Sequence, residues 1–322
     1  MPGKRPLPSA LYGYTKSALL RCAETFKKMQ LKRALPHDFC RQDDIVVVTM
    51  VRDEALRLEY FFKYYKEIGV DRFIVLDHQS ADQSAQLIEA EEAAIRIPVA
   101  GNFLFKRAWI QAVLETIGHR RWCLVVDADE FLVWPHIRTL SLRDLTAYMN
   151  KNDCDVLPCI LLDMYPKGPI GDTHYASGRN PLEFAPFFDR SGATRKRSFG
   201  VSPTLTKAPL VRFGRGMRLR QGQHGVYRAR SADVTGVLLH FKFLQDFKSK
   251  IRSNPLIRTF DSQYGKELSA YREKVESEKN LVLHSDESLF YEGPDQLLNL
   301  GLMKDSAELR DLAVARSVHS PS

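Results

Sequence analysis

Residues 44–77 read DIVVVTMVRDEALRLEYFFKYYKEIGVDRFIVLD, and this stretch decides the fold. Its first part, IVVVTMV (45–51), is apolar throughout and has the length of a buried strand. Residues 53–69 indicate a helix, since acidic residues begin it, Gly69 ends it, and apolar side chains recur at helical spacing. DRFIVLD (71–77) is a second strand, so the stretch predicts a β-α-β unit. The helical stripe consists of Leu56, Tyr60, Phe61, Tyr64 and Ile68.

The alternation continues along the chain, where Asp82 is placed to cap the next helix. We predict helices over 83–94 and 105–117, and strands over 95–99 and 121–127. Short links between such elements imply an α/β fold with a Rossmann-like, mostly parallel sheet and helices on both faces. After about residue 150 the pattern loosens into a C-terminal region, for which we predict strands over 156–162 and 234–243 and a helical segment over 245–275.

The composition is that of a globular protein, with 44% apolar and 27% charged residues in 322. The net charge of +8 favours an anionic partner. No apolar stretch is long enough to cross a bilayer, the N-terminus has no secretory apolar region, and the five cysteines form no CxxC pair. These features lead us to expect a reduced, cytoplasmic protein. The absence of Walker A and GxGxxG motifs argues against an NTPase or a dehydrogenase.

The strongest chemical signal is DADE at 127–130, which ends an apolar strand. Open parallel sheets bind ligands at the carboxyl ends of their strands. In an extended chain, residues two apart point the same way, so Asp127 and Asp129 are expected to face one ligand. Two carboxylates suit Mg²⁺ or Mn²⁺, and such an ion can bridge a diphosphate. Asp153 and Asp155 have the same spacing but precede a strand, so we interpret them as structural.

Two further polar turns follow strands. In LDHQSAD (76–82), Asp77 is a candidate to accept a hydrogen bond from a base or ribose, while helix capping alone explains Ser80 and Asp82. In TMVRDEA (49–55), acidic residues begin a helix directly after the first strand, where the helix dipole favours them whether or not they bind a ligand.

Together these pieces resemble the nucleotide-binding half of bacterial family 2-like glycosyltransferases with the GT-A fold. The resemblance covers about 44–135 and rests on RDEA, an aromatic helix, GVDRF, a strand, D-x-x-S-x-D, and W-x-x-x-x-DADEF, all in this order. One residue departs from the family, because Gln83 stands where a glycine commonly follows D-x-x-S-x-D.

The resemblance implies a UDP- or GDP-sugar donor, a glycan or lipid-linked acceptor, and a divalent Mn²⁺ or Mg²⁺, with inversion at the anomeric carbon and a role in bacterial surface glycan synthesis. No nucleic acid is expected as a partner. The predicted metal ligands are Asp127, Asp129 and His240, with His224 as a weaker candidate for a functional histidine. The predicted nucleotide-binding residues are Thr49, Arg52, Glu54, Asp77 and Arg107, with Lys106 beside them.

An inverting transfer needs a carboxylate base to deprotonate the acceptor hydroxyl. Family 2-like enzymes place it well after the metal motif, where Asp163 and Asp189 are the candidates and Glu183 is a weaker one. None of the three has a decisive motif, so a structural role stays open for each.

Basic residues concentrate in two segments. Residues 1–43 form a basic arm, in which 15–35 is an amphipathic helix that either packs on the main domain or lies on the inner face of a membrane. Residues 190–230 contain eleven Lys and Arg and no Asp or Glu. The second segment suits a donor diphosphate or an anionic acceptor, and it also keeps open a non-catalytic binder of anionic glycan or nucleic acid.

We therefore predict four parts: a basic N-terminal arm (1–43), a nucleotide-sugar-binding half (44–150), an acceptor- and metal-completing half of the same domain (151–245), and a C-terminal helical extension with a tail (246–322).

Overall fold

The computed structural model describes residues 31, 34–36, 38–101, 103–190, 193–220, 223–253 and 263–319. Most of the predicted helix over 15–35 and of the basic arm lies outside these residues. The strands are β1 (Val46–Val51), β2 (Arg72–Asp77), β3 (Ala94–Pro98), β4 (Arg121–Val125), β5 (Glu130–Val133), β6 (Val156–Asp163), β7 (Phe187–Asp189), β8 (Thr206–Phe213), β9 (Arg218–Leu219), β10 (Val226–Tyr227), β11 (Gly236–His240) and β12 (Ser288–Phe290).

The helices are α1 (Ala55–Glu67), α2 (Ser84–Ala90), α3 (Lys106–Thr116), α4 (Leu142–Lys151), α5 (Thr194–Phe199), α6 (Phe247–Ser253), α7 (Gln263–Ser277), α8 (Pro294–Asn299) and α9 (Ala307–His319). Every element predicted between residues 45 and 127 has a counterpart here, with ends that differ by a few residues. The segment predicted as helical over 245–275 contains two helices, α6 and α7.

An eight-stranded sheet organises the chain in the spatial order β3-β2-β1-β4-β8-β6-β11-β5. Six of its strands run in one direction, while β8 and β5 run antiparallel to their neighbours. Helices cover both faces. The predicted α/β class is therefore confirmed, with the mostly parallel sheet expected of a Rossmann-like GT-A fold. The sequence pattern missed β8, which lies in the Gly- and Pro-rich basic stretch and separates β4 from β6.

Side chains alternate between the two faces of the central strand β1, because successive residues of a strand point to opposite sides. Val47 and Val51 pack with α1 and α4 on one face, and Val46, Val48 and Met50 pack with α3 on the other. Both faces of β1 are thus buried, as its continuous apolar run predicts. Within the predicted 15–35 helix, Leu31 and Leu35 are described and buried in the core on the α3 side.

The aromatic helix α1 places its buried face slightly differently from the predicted stripe. Leu58, Phe61, Phe62 and Tyr65 are its most deeply buried apolar side chains. Leu56, Tyr60 and Tyr64 are only partly buried and pack against a neighbouring core cluster around Phe131. The helical period was predicted correctly. The predicted stripe lies to one side of the most buried face of α1, because side chains of this helix pack into two core clusters.

No helix among the described residues is both long enough and apolar enough to span a membrane.

A buried arginine joins α1 to the segment before α6. The side chain of Arg57 is 3% exposed and forms two hydrogen bonds with the carboxylate of Asp246, at 2.5 and 2.8 Å. Glu54 approaches the same guanidinium at 3.2 Å, and Lys250 bridges Glu54 and Asp246 at 2.6 and 3.1 Å. Burial opposes ionisation of Asp246, but Arg57 outweighs it and lowers the pKa to about 2.

We predict that Asp246→Asn lowers the free energy of unfolding at pH 7 by about 3 kcal/mol, because it leaves a buried guanidinium without its main counterion. A carboxylate with a lowered folded pKa stabilises above its unfolded pKa, and this stability is lost as pH falls. The difference between wild type and variant should therefore shrink from about pH 4 towards pH 2. Urea denaturation across pH measures it. The control Asp311→Asn lies on the exposed face of α9, and a pH-independent difference for D246N would contradict the assignment.

Candidate functional site

The candidate site lies at the edge of the sheet where the parallel strands end. Asp77, Asp163 and His240 are the last residues of β2, β6 and β11. The DADE motif follows β4 at the same edge, since β4 runs parallel to β1. The antiparallel strand β8 begins here and contributes Lys207, its second residue. The topology thus gathers residues far apart in sequence, as open α/β sheets do at their binding edges.

The DADE motif forms a turn rather than an extended segment. The amide of Glu130 donates to the carbonyl of Asp127 at 3.1 Å, and β5 begins at Glu130. The extended geometry used to place Asp127 and Asp129 on one side therefore does not hold. Helix α1 fixes this turn, because the Tyr65 hydroxyl donates to the Glu130 carbonyl at 2.8 Å. The aromatic helix and the acidic motif are thus one structural unit.

Two lysines neutralise the first half of the motif. Lys106, at the start of α3, pairs with Asp127, and Lys207 pairs with Glu130 while lying 3.4 Å from Asp127. Burial opposes ionisation of Asp127, but the two lysines lower its pKa to about 2. Glu130 is 1% exposed, and burial raises its pKa despite the contact with Lys207. The result is a compact group of two cations and two carboxylates at the binding edge of the sheet.

His240 bridges two carboxylates. Its Nε2 lies 3.3 Å from Asp129, and its Nδ1 lies 2.7 Å from Asp163. Burial disfavours the charged imidazole, but Asp129 and Asp163 outweigh it and raise the pKa of His240 to about 9. The ring is 6% exposed, so its orientation is fixed by these two contacts and by the packing of β11.

Behind His240, a buried guanidinium holds Asp163. Arg195 of α5 forms two hydrogen bonds with the Asp163 carboxylate, at 2.6 and 2.8 Å. The same guanidinium donates to Glu267 of α7 at 2.9 Å. Burial opposes ionisation of Asp163, yet Arg195 and His240 hold its pKa well below the usual range. A continuous chain of buried polar groups therefore links α7 to Asp129.

Three side chains at this edge have the geometry of a metal site. Ligand atoms of Asp129, Glu130 and His240 all lie within 4.8 Å of one another. One imidazole nitrogen and two carboxylate oxygens are donors that Mn²⁺ and Mg²⁺ accept. Asp129 and His240 were both predicted from the sequence as ligands. Glu130 completes the set here, while the predicted ligand Asp127 faces the two lysines.

The predicted nucleotide-binding acids already have partners within the protein. Asp77 is 1% exposed, and its carboxylate accepts from Arg96 at 2.8 Å and from the amide of Ser80 at 3.0 Å. Burial acts to raise the pKa of Asp77, but these hydrogen bonds outweigh it and lower the pKa. Glu54 belongs to the ion-pair cluster around Arg57 and Lys250. Both acids therefore hold the edge together, and a role in nucleotide binding stays a prediction for each.

The other predicted nucleotide-binding residues occupy different surroundings. Thr49 is buried within β1, and its hydroxyl has no hydrogen-bond partner among the described residues. Arg52 is 45% exposed at the end of β1. Arg107 donates to the carbonyl of Leu219 at 3.0 Å, which ties α3 to β9. Of these three, Arg52 alone has a largely solvent-exposed side chain at the binding edge.

The turns after β1 and β2 are joined to each other. Backbone amides of Asp53, Glu54 and Ala55 donate to Ser80, Ser84 and Asp82, respectively, at 2.9 to 3.1 Å. Asp82 was predicted to cap the following helix; it accepts from Ser84 and Ala55, and Gln83 occupies the cap position of α2. The polar residues of the two turns thus fix one rim of the site.

The two predicted bases are both enclosed by donors. Asp163 has the contacts with Arg195 and His240 described above. Asp189, at the end of β7, is 2% exposed and accepts from Tyr165, from Thr194 at 2.9 Å and from Arg197 at 2.8 Å. The weaker candidate Glu183 pairs with Arg179 near the surface. The role of base stays a prediction for Asp163 and Asp189.

Sequence reasoning missed several residues that shape the site. Lys207, Arg195 and Glu267 carry no motif, and the first two were noted only as members of the basic 190–230 segment. Glu130 was quoted within DADE but was not assigned a role. Only the strand crossing of β8 and the packing of α5 and α7 bring these residues to the edge, so local spacing gives no signal for them.

No protein-family model matches the chain. Among curated proteins, it is 23% identical over 227 residues to a glycosyltransferase family 92 protein of Ricinus communis, and 22% identical over 245 residues to one of Arabidopsis thaliana. The chain is similar to family 92 glycosyltransferases. These alignments cover 66% and 71% of the chain but only 37% and 39% of the two plant proteins.

Solved structures with local likeness include glucosyl-3-phosphoglycerate synthase from Mycobacterium tuberculosis, in complex with Mn²⁺, UDP and phosphoglyceric acid. It is 17% identical, with a TM-score of 0.26, over 38% of this chain and 43% of that one. A UTP-bound UGPase from Acinetobacter baumannii is 13% identical, with a TM-score of 0.25, over 40% and 59%. At these scores neither likeness supports an argument. The curated relatives are named glycosyltransferases, as the sequence resemblance implies, while the bacterial family 2-like subgroup stays a prediction.

We predict strong coupling between Lys207 and Glu130. Lys207→Met should lower the free energy of unfolding by about 3 kcal/mol, because it leaves a buried carboxylate without its nearest cation. The double variant K207M/E130Q should recover at least half of that loss, since no charge at position 130 then remains unpaired. Urea denaturation of the two single variants and the double variant measures the coupling. Strictly additive losses would contradict it.

Proposed function

We propose that the chain is a metal-dependent glycosyltransferase that moves a sugar from a nucleotide-diphosphate donor, a UDP- or GDP-sugar, to an acceptor hydroxyl. The cluster of Asp129, Glu130 and His240 beside two lysines at the binding edge of the sheet carries this proposal. The similarity to family 92 glycosyltransferases supports the reaction class. Because the chain spans less than two fifths of those relatives, the activity is proposed for this chain from its own site.

Asp129, Glu130 and His240 would hold a Mn²⁺ or Mg²⁺ ion. The fit rests on their donor atoms, which converge within 4.8 Å and combine hard carboxylate oxygens with one imidazole nitrogen. When bound, the ion supplies positive charge for the departing diphosphate. Glu130 replaces Asp127 in the ligand set that we propose, because the turn at Ala128 and Asp129 points Asp127 towards the lysines.

Lys106 and Lys207 are the protein's own cations for the donor. Both are partly buried and converge on Asp127, with Nζ of Lys207 also on Glu130. Phosphate oxygens that enter this edge can exchange with Asp127 as the partner of these lysines. Such charge-assisted hydrogen bonds in a partly dry site stabilise charge that builds on the leaving diphosphate.

We assign Asp163 to positioning rather than to proton abstraction. Its carboxylate accepts two hydrogen bonds from Arg195 and one from His240, and its pKa is held low. A base that takes the proton from an acceptor hydroxyl needs a free lone pair near that hydroxyl. An imidazole that coordinates a metal through one nitrogen is commonly oriented by a carboxylate at the other. Asp163 stands in that relation to His240, while inversion stays an expectation from the family 2-like resemblance.

We predict that Asp129→Asn lowers sugar transfer by about a hundredfold or more, since it removes charge where the diphosphate leaves. The readouts are turnover across a panel of UDP- and GDP-sugars with Mn²⁺, and Mn²⁺ binding by isothermal titration calorimetry. Both should fall in the folded variant. The melting temperature should also fall by several degrees, because buried His240 loses one of the two carboxylates that hold it. Asp311→Asn serves again as the surface control. Full activity in D129N would exclude the proposed metal site.

We also predict that Arg195→Lys weakens Mn²⁺ binding by about ten- to a hundredfold, because lysine keeps the charge but cannot hold Asp163 through two parallel hydrogen bonds. The matched control is Arg197→Lys on the same helix, whose guanidinium contacts Asp189 and not Asp163. A merely structural Arg195 would lower the melting temperature and leave the Mn²⁺ dissociation constant of the folded protein unchanged. That result would exclude the positioning role.

A further inference from the structure

The structure divides the basic segment 190–230 into two groups. One group has partners inside the protein: its members are Arg195 on Asp163, Arg197 on Asp189, Lys207 on Glu130, Arg212 on Asp155, and Arg230 on Asp155. The other group lies on the β9–β10 hairpin and its base. There Arg215, Arg220 and Arg228 are exposed, and no carboxylate among the described residues pairs with them. Part of the charge surplus noted in the sequence therefore lies on this hairpin, while Arg190 and Lys196 are exposed elsewhere and Arg218 lies near Glu115.

The hairpin presents these charges together with an aromatic ring. Leu219 pairs with Val226, and both side chains face the core beside α3. Tyr227 faces outward opposite Arg218 and is 54% exposed. The guanidinium of Arg220 lies over the Tyr227 ring, 4.7 Å from its centre. Stacking on an aromatic ring keeps a guanidinium extended and leaves its N–H groups available to an anion.

The hairpin adjoins the candidate site and is held in place by contacts with β8 and α3. Nδ1 of His224, near the hairpin tip, lies 2.6 Å from the carbonyl of Thr206, the residue before Lys207. From α3, Arg107 and Gln111 bind the backbone of Leu219. The same helix begins with Lys106, which contacts Asp127. The exposed arginines are thus attached to the elements that build the binding edge.

We propose that this surface, formed by Arg215, Arg220, Tyr227 and Arg228, binds an acidic oligosaccharide, and that this is the acceptor of the transfer. The role of the oligosaccharide as acceptor rests on the proposed function, but its binding to this surface does not. Guanidinium groups pair with carboxylate or sulfate groups in a forked geometry. The ring of Tyr227 has Arg220 over one face but is 54% exposed, so it still offers apolar surface to a sugar ring. Charge complementarity and continuity with the site both favour this ligand.

The same surface fits a membrane less well. Binding in the headgroup region requires a broad apolar face opposite the charges. Tyr227 is the one large, strongly exposed apolar side chain of the described hairpin residues. Single-stranded nucleic acid generally needs several aromatic platforms along a basic groove, and one ring does not form such a series. A short acidic glycan needs only a few guanidinium groups and one ring.

The test measures binding of fluorescently labelled oligogalacturonate, with a maltooligosaccharide of equal length as the neutral probe. Phosphatidylcholine vesicles containing phosphatidylserine and an oligouridylate are the competing probes. The full chain should bind oligogalacturonate and not the neutral oligosaccharide, and the binding should weaken as salt rises. Arg220→Gln with Arg228→Gln should weaken it about tenfold, a loss of about 1.4 kcal/mol.

The matched control removes the same charge elsewhere, as Lys63→Gln with Arg138→Gln on exposed positions outside the hairpin. It should bind oligogalacturonate like the wild type. The proposal would be overturned by an equal loss of binding in this control or by equal binding of the neutral probe. It would also be overturned if the protein bound only vesicles or oligouridylate. Hydrolysis of UDP- and GDP-sugars by the unaltered protein needs no acceptor, so its absence would count against the proposed function and not against this surface.

Discussion

The imidazole of His240, held between Asp129 and Asp163, is the contact on which the arrangement of the site depends. A buried ring between two carboxylates can exist only if each carboxylate has further partners, because an unpaired buried charge is costly. Arg195 and Glu267 complete the pairing on the side of Asp163. On the other side, His240, Arg57 and Lys250 together hold the pKa of Asp129 well below its usual range despite burial. The ring thereby connects residues at the ends of β6 and β11, the turn before β5, and helix α7 in one network.

The antiparallel strand β8 makes that network possible. It separates β4 from β6, so the DADE turn and Asp163 lie on either side of it, and it delivers Lys207 between them. Its other end leads into the β9–β10 hairpin. That end lies at the opposite edge of the sheet, where Phe213 pairs with Arg121. The hairpin then runs back along α3, and His224 contacts the Thr206 carbonyl, which brings this part of the hairpin next to the site.

Charge has three distinct uses in this chain. Arg57 and Arg195 are buried and stabilise the meeting of distant segments. Lys106 and Lys207 are partly buried and stand where a donor diphosphate would enter. Arg215, Arg220 and Arg228 are exposed, and no carboxylate among the described residues pairs with them. Burial separates these uses, because a desolvated cation must keep its counterion while an exposed one can exchange water for a ligand.

The sequence alone determined the β-α-β frame, the binding edge of the sheet and the prominence of Asp129, since these follow from local periodicity and from strand ends. His240 was predicted only from the resemblance to family 2-like glycosyltransferases. The sequence did not predict β8, the turn that directs Asp127 towards lysines, or the roles of Lys207, Arg195 and Glu267. Those features depend on which segments become neighbours in the sheet and on which charges must then be neutralised. Spacing along the chain determines neither, so only the tertiary structure decided how the acidic motif is completed.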